Sequence, residues 1–148
     1  MSSSTRWYAG SDHAGLALKN ELVMVLRDRG CEVTDLGTTT DDSVDYPDFA
    51  EAVAKRVVAE DALGLLVCGT GNGIMMSANK VRGARAALAT ESFTARMARL
   101  HNNANIIAFG ARVVGAGVAS DALVAFLEAE FEGGRHQRRV DKMMAIEE

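Results

Sequence analysis

A cysteine and an alternating run of glycines carry the densest chemistry in this sequence: Leu63-Gly64-Leu65-Leu66-Val67-Cys68-Gly69-Thr70-Gly71-Asn72-Gly73-Ile74. The apolar residues up to Cys68 read as a buried strand, and beyond the glycines the chain turns helical. Glycines at alternate positions remove side chains, so successive backbone N–H groups can face one anion. A helix starting there adds its free amides and its dipole to that field. A thiol on the rim of such a nest suits a base or nucleophile, because the field that holds an anion also favours a thiolate. The same residues also make a tight strand-to-helix turn around a small buried thiol, and the segment alone does not choose. An ordinary thiol, with a pKa near 8.5, is only a few per cent ionised at pH 7. Lowering such a value by two pH units takes roughly 2.7 kcal/mol. A helix N-terminus typically gives about 0.3–1 kcal/mol, so the nest must contribute or a minority thiolate does the work.

The sequence holds three histidines. His13 follows Asp12 directly, where the pair reads either as a helix cap or as an acid-base couple. His101 ends a helical stretch, as a cation favoured by the dipole or as a group exchanging protons near pH 7. His136 lies within Arg135-His136-Gln137-Arg138-Arg139. Arg135 and Arg139, four residues apart, share a helical face, and Arg138 also fits by spacing. Guanidinium groups match phosphate geometry, each charge-assisted bond contributing roughly 1.5–3 kcal/mol; the plain alternative is a solvated basic face. Beside the glycine nest, two such arginines would form a two-sided phosphate clamp. Asp41, Asp42, Asp45 and Asp48 read as turn and cap residues, and no histidine pair has zinc-type spacing, so no metal is expected. No Gly-Lys-Ser/Thr comes after the glycines, and a cysteine precedes them after a third strand, against a nucleotide fingerprint. Met75, Met76, Met143 and Met144 read as core or subunit-contact residues.

These groups need a frame, and alternating apolar runs and helical stretches predict an α/β domain with a mainly parallel sheet. Strands are expected at Arg6–Gly10, Cys31–Leu36, up to Cys68, Ala84–Ala89 and Asn105–Phe109. Between them fall a helix from Ala14 stopped at Gly30, one opened by Pro47, and a short one over Ile74–Lys80. The second of these buries Phe49, Val53 and Val57. A further helix, capped by Thr90, carries Phe93, Met97 and Leu100 on one face, and another occupies Gly117–Phe131. The last begins near Arg135 and presents Val140, Met143 and Met144. In open α/β sheets ligands bind beyond the carboxyl ends of the strands. That rule selects Ser11–Gly15, the glycine loop and Gly110–Arg112, although periodicity leaves the strand order open.

The 148 residues suit one domain, with 48% hydrophobic and 24% charged residues fitting a folded globular chain. A net charge of -4 gives no general basic field, which argues against nucleic acid as main partner. No apolar stretch approaches the roughly 18 residues that span a bilayer, and Met1–Arg6 lacks a signal-peptide core. Two distant cysteines point to a reducing, cytoplasmic setting.

Taken together, the segments closely resemble the ribose 5-phosphate isomerase B family, which includes galactose 6-phosphate isomerase subunits. The matching pieces are Ser11-Asp12-His13-Ala14-Gly15, Asp45-Tyr46-Pro47, Cys68-Gly69-Thr70-Gly71-Asn72-Gly73 and Ala78-Asn79-Lys80. Further along come His101-Asn102-Asn103-Ala104-Asn105, Phe109-Gly110-Ala111-Arg112-Val113, and Glu132 through Val140. They keep the family's order over nearly the whole chain, and jointly they are specific.

The resemblance implies a three-layer α/β/α sandwich around a five-stranded parallel Rossmann-like sheet, with an added C-terminal helix. It implies a cofactor-free aldose–ketose isomerase of ribose 5-phosphate and ribulose 5-phosphate, working as a homodimer, or a tetramer built from it, with sites between subunits. Cys68 matches the base that moves a proton between carbons 1 and 2, and Thr70 a hydroxyl that helps protons between the oxygens. Gly69, Gly71, Asn72 and Gly73 belong to the loop whose amides stabilise the enediolate. His101 matches the ring-opening proton donor, with Asp12 as helper. His13, Asn102, Arg112, Arg135 and Arg139 match substrate- and phosphate-binding positions. One branch of the family uses a glutamate just after the glycine loop; Ile74 stands there, which supports the cysteine branch. A four- or six-carbon phosphosugar, a subunit needing a different partner chain, and a non-catalytic phosphosugar binder are the alternatives.

Overall fold

The structure, a computed structural model, describes residues 5–147. Eleven elements succeed one another: β1 (Arg6–Ser11), α1 (Leu16–Asp28), β2 (Glu32–Asp35), α2 (Tyr46–Glu60), β3 (Leu63–Cys68), α3 (Asn72–Ala78), β4 (Ala86–Leu88), α4 (Ser92–Asn102), β5 (Ile106–Gly110), α5 (Ala116–Glu128) and α6 (Arg135–Ala145). The five strands form one parallel sheet in the order β2-β1-β3-β5-β4. Parallel strands need crossovers, and the helices that make them cover both faces, so a three-layer α/β/α sandwich results.

Alternation along the strands sorts the core into two halves. Trp7, Ala9, Leu65, Val67, Ile107 and Phe109 pack with α1, α4 and α5. Tyr8, Leu66, Cys68, Ile106 and Ala108 meet Ala50, Val53, Ala54 and Val57 of α2 and Ile74 and Ala78 of α3. Because β1 pairs with β2 on one side and β3 on the other, the chain reverses direction across the sheet there, which opens a crevice beyond their carboxyl ends.

Several local expectations are corrected. The cap of α4 is Glu91 rather than Thr90: its carboxylate accepts the N–H groups of Phe93 at 2.7 Å and Thr94 at 3.1 Å. The face of α4 that packs on the core carries Ala95 and Ala98, while Phe93 is 63% exposed and Met97 and Leu100 are half-buried. α3 starts at Asn72, ahead of Ile74, and α5 stops at Glu128, short of Phe131. β4 shrinks to three residues at the sheet edge, where the Asn79 side chain takes the place of a neighbouring strand. Its Oδ1 accepts the Ala86 N–H at 2.8 Å, and its Nδ2 donates to the Ala86 carbonyl at 3.0 Å. Phe49 is half-buried, as are Met75 and Met144, while Met76 and Met143 are exposed.

Candidate active site

Three strand ends meet at one edge of the sheet. From β1, Asp12 is buried, donates its N–H to the Val67 carbonyl and accepts the Gly15 N–H at 3.0 Å on Oδ1. This local turn leads the chain into α1. A Cβ at Gly15 would lie 2.4 Å from the Val67 carbonyl oxygen, so the close approach of the two loops requires glycine. His13, half-buried, accepts the Val44 N–H on Nδ1 at 3.2 Å. In a neutral ring that bond places the proton on Nε2.

From β3, Cys68 lies against Gly110 of β5 and is 4% exposed. Its Sγ accepts the Gly71 N–H at 3.2 Å. Gly71 caps α3 with φ at 85°, and a Cβ there would collide with Leu88 Cδ1 at 2.4 Å. Both observations demand glycine, and this conformation aims the N–H at the sulfur. Thr70 is exposed beside it, with Oγ1 accepting the Asn72 N–H at 3.3 Å. The Tyr46 ring lies against Gly73, where a Cβ would stand 2.5 Å from the ring carbons.

From β5, the backbone zips onto the glycine loop: Ala111 N–H donates to the Cys68 carbonyl and Arg112 N–H to the Gly69 carbonyl, both at 2.9 Å. The Arg112 guanidinium then lies over Gly69, with Nη1 3.2 Å from where a Cβ would be. One edge thus combines a sulfur held by a main-chain donor, a hydroxyl, a carboxylate, an imidazole and a guanidinium. Such a set can hold an anionic group and move a proton beside a carbonyl.

His101, Asn102, Arg135 and Arg139 are not part of this edge within one chain. α4 leaves the carboxyl end of β4 and delivers the chain to the start of β5. Its 11 residues span about 16 Å, which carries His101 and Asn102 to the opposite end of the sheet. The exposed Arg135 and Arg139 sit there too, on α6, which packs against α4. The two-sided clamp expected around the glycine nest is therefore not built by a single copy.

This second cluster has its own order. The His101 and His136 rings stack with centroids 4.1 Å apart and planes 7° from parallel. Glu132, tied by its N–H to the Leu100 carbonyl at 3.0 Å, places Oε1 3.5 Å from Nε2 of each ring. His136 is buried, and loss of water pushes its pKa down, with the neighbouring His101 and Arg135 adding to the effect and Glu132 opposing it. The sequence placed His136 in the basic cluster and Glu132 in a matching segment, but gave neither a role. Their four-residue spacing was visible, but the approach of His101 depends on how α4 and α6 pack.

A family model described as Ribose/Galactose Isomerase matches residues 8–143. Ribose-5-phosphate isomerase B of Escherichia coli K12 is 46% identical over 140 residues, covering 94% of each chain. Among solved structures, ribose-5-phosphate isomerase B of Clostridium thermocellum superposes with a TM-score of 0.94 at 51% identity, covering 97% of each chain. A Mycoplasma genitalium ribose-5-phosphate isomerase B with bound ribulose-5-phosphate matches with a TM-score of 0.93 at 45% identity, again over 97% of each chain.

Proposed function

The chain belongs to the ribose/galactose isomerase family, and from that premise we propose that it interconverts ribose 5-phosphate and ribulose 5-phosphate. The observation that carries the reading is Cys68, whose sulfur accepts a main-chain N–H at 3.2 Å beside the buried Asp12 loop and the cationic Arg112. His101 opens the furanose by giving a proton to the ring oxygen while Asp12 receives the proton of the carbon 1 hydroxyl. The Cys68 thiolate then takes the proton from carbon 2, leaving an enediolate. Charge on the enediolate oxygens is met by the amides of Gly69 and Gly73, joined by those of Gly71 and Asn72 as they turn from the Cys68 sulfur and Thr70 Oγ1 that hold them in the free protein, a kind of stabilisation that often forms the largest catalytic contribution. Thr70 passes a proton between the two oxygens, and Cys68 returns its proton to carbon 1. Every step is a proton transfer.

Arg112, Arg135 and Arg139 hold the phosphate, with His13 and Asn102 on the sugar. Because His101, Asn102, Arg135 and Arg139 lie at the far end of the sheet from Cys68, the pocket is completed by a second copy, and the working unit is a homodimer. Two buried, unpaired cysteines suit a reducing cytoplasm. No helix among the described residues is long and apolar enough to cross a membrane.

The test is Cys68→Ala. Isomerisation, monitored as ketose formation, is expected to fall to background while ribose 5-phosphate still binds in calorimetry. Undiminished turnover would remove the proposed base.

A further inference from the structure

Glu132 joins two histidines that lie far apart in the chain, and the three residues form a tripod. Glu132 Oε1 is 3.5 Å from Nε2 of His101 and 3.5 Å from Nε2 of His136. All three donor atoms lie within 4.8 Å of one another. Around a tetrahedral zinc ion with bonds of about 2.0–2.2 Å, neighbouring donor atoms stand roughly 3.2–3.6 Å apart. Two of the tripod's three edges are thus already at coordinating length. The third edge, between the nitrogens, closes when the His101 ring swings out of the stack, because the in-plane lone pairs of two near-parallel imidazoles do not converge on one ion. The His101 side chain is 37% exposed and has room for it, whereas His136 is packed and supplies a fixed donor.

We propose that His101, Glu132 and His136 bind a borderline divalent cation such as Zn²⁺, with water in the fourth position, and that the bound ion blocks isomerisation by occupying the His101 nitrogen. The blocking half rests on His101 being the ring-opening acid; the binding half does not. Two imidazoles and a carboxylate form a donor set that zinc takes, and imidazole selects zinc, nickel or copper over magnesium and calcium. Electrostatics sharpen this choice. Arg135 and the N-terminus of α6 put positive charge beside the tripod, which repels a cation held only by the field. A cation that gains inner-sphere bonds to nitrogen is retained. The same arginines recruit the substrate phosphate, so metal and phosphosugar compete for one region.

The experiment titrates the metal-free, full-length protein with Zn²⁺ against a chromophoric chelator, with Mg²⁺ as control. It uses the wild type, Glu132→Gln, His136→Gln and Cys68→Ser, each checked for folding by circular dichroism. The expected result is one Zn²⁺ per chain, binding at least about tenfold weaker in Glu132→Gln and His136→Gln, unchanged in Cys68→Ser, and no Mg²⁺ binding. Wild-type turnover is expected to fall over the concentration range in which Zn²⁺ binds, and Glu132→Gln to resist. The proposal is overturned by absence of saturable micromolar binding, by binding indifferent to both substitutions, or by full turnover with the ion bound. Failure of the isomerase reading is distinguishable, since it appears as an inactive metal-free wild type, and the chelator titration still decides the metal site.

Discussion

At the residue scale, the proposed site divides into groups held in place by backbone and groups left free at the surface. Cys68, Asp12 and Gly71 belong to the first kind: each is buried and tied to a main-chain partner. Their type and spacing were legible because alternate glycines and a strand-end cysteine announce a local conformation. Arg135 and Arg139 belong to the second kind, exposed on the first turns of α6 with spacing that aligns them. Arg139→Ala is expected to remove about 1.5–3 kcal/mol of charge-assisted binding, roughly a ten- to hundredfold rise in KM for ribose 5-phosphate. Turnover of unphosphorylated ribose should not change, since the lost contact is to phosphate. Steady-state kinetics on both sugars checks this, and equal effects on the two would remove the assigned role. Glu132 was illegible at this scale. A glutamate before two glycines looks like any solvated loop residue, and only the packing of α4 on α6 gives it two imidazole neighbours.

At the element scale, helices and strands were readable from periodicity, but their ends were set by side chains reaching back to the backbone. The α4 start is one example: a glutamate with two acceptor oxygens outcompetes the preceding threonine for the free N–H groups. Periodicity also placed Phe93, Met97 and Leu100 on one face, and the packing of α4 leaves Phe93 of that face exposed. Asn79 is another example. It belongs to the matching Ala78-Asn79-Lys80 segment, and its amide bonds both polar groups of Ala86 on the edge strand. An unpaired edge is a template for further strand addition, and this side chain closes it. Asn79→Ala is expected to cost about 1–3 kcal/mol through the two lost hydrogen bonds. At roughly 2–4 °C per kcal/mol for a chain of this size, thermal unfolding should begin several degrees lower. kcat should be little changed, because the glycine loop lies at the other end of α3. A melting temperature equal to that of the wild type would show that water replaces the side chain at no cost.

At the scale of the whole molecule, strand order decides what meets what. Insertion of β5 between β3 and β4 brings Gly110 beside Cys68 and Arg112 over Gly69. Had β4 taken that place, Arg112 would stand one strand spacing, about 4.8 Å, farther off. No periodicity encodes this choice, which is settled by how the crossover helices pack. The same topology separates Cys68 from His101, because a crossover helix between parallel strands must return the chain to the opposite edge. A pocket that uses both therefore takes its halves from different chains, and in a two-fold dimer each of two equivalent sites holds Cys68 of one copy and His101 of the other. Mixing inactive Cys68→Ala with inactive His101→Asn tests this directly. After unfolding and refolding together, half the dimers are mixed, and each carries one intact site of two, so roughly a quarter of wild-type activity should return. Each variant refolded alone should stay inactive. If both halves served within one chain, no mixture would recover turnover, and the division of the site between copies would be wrong.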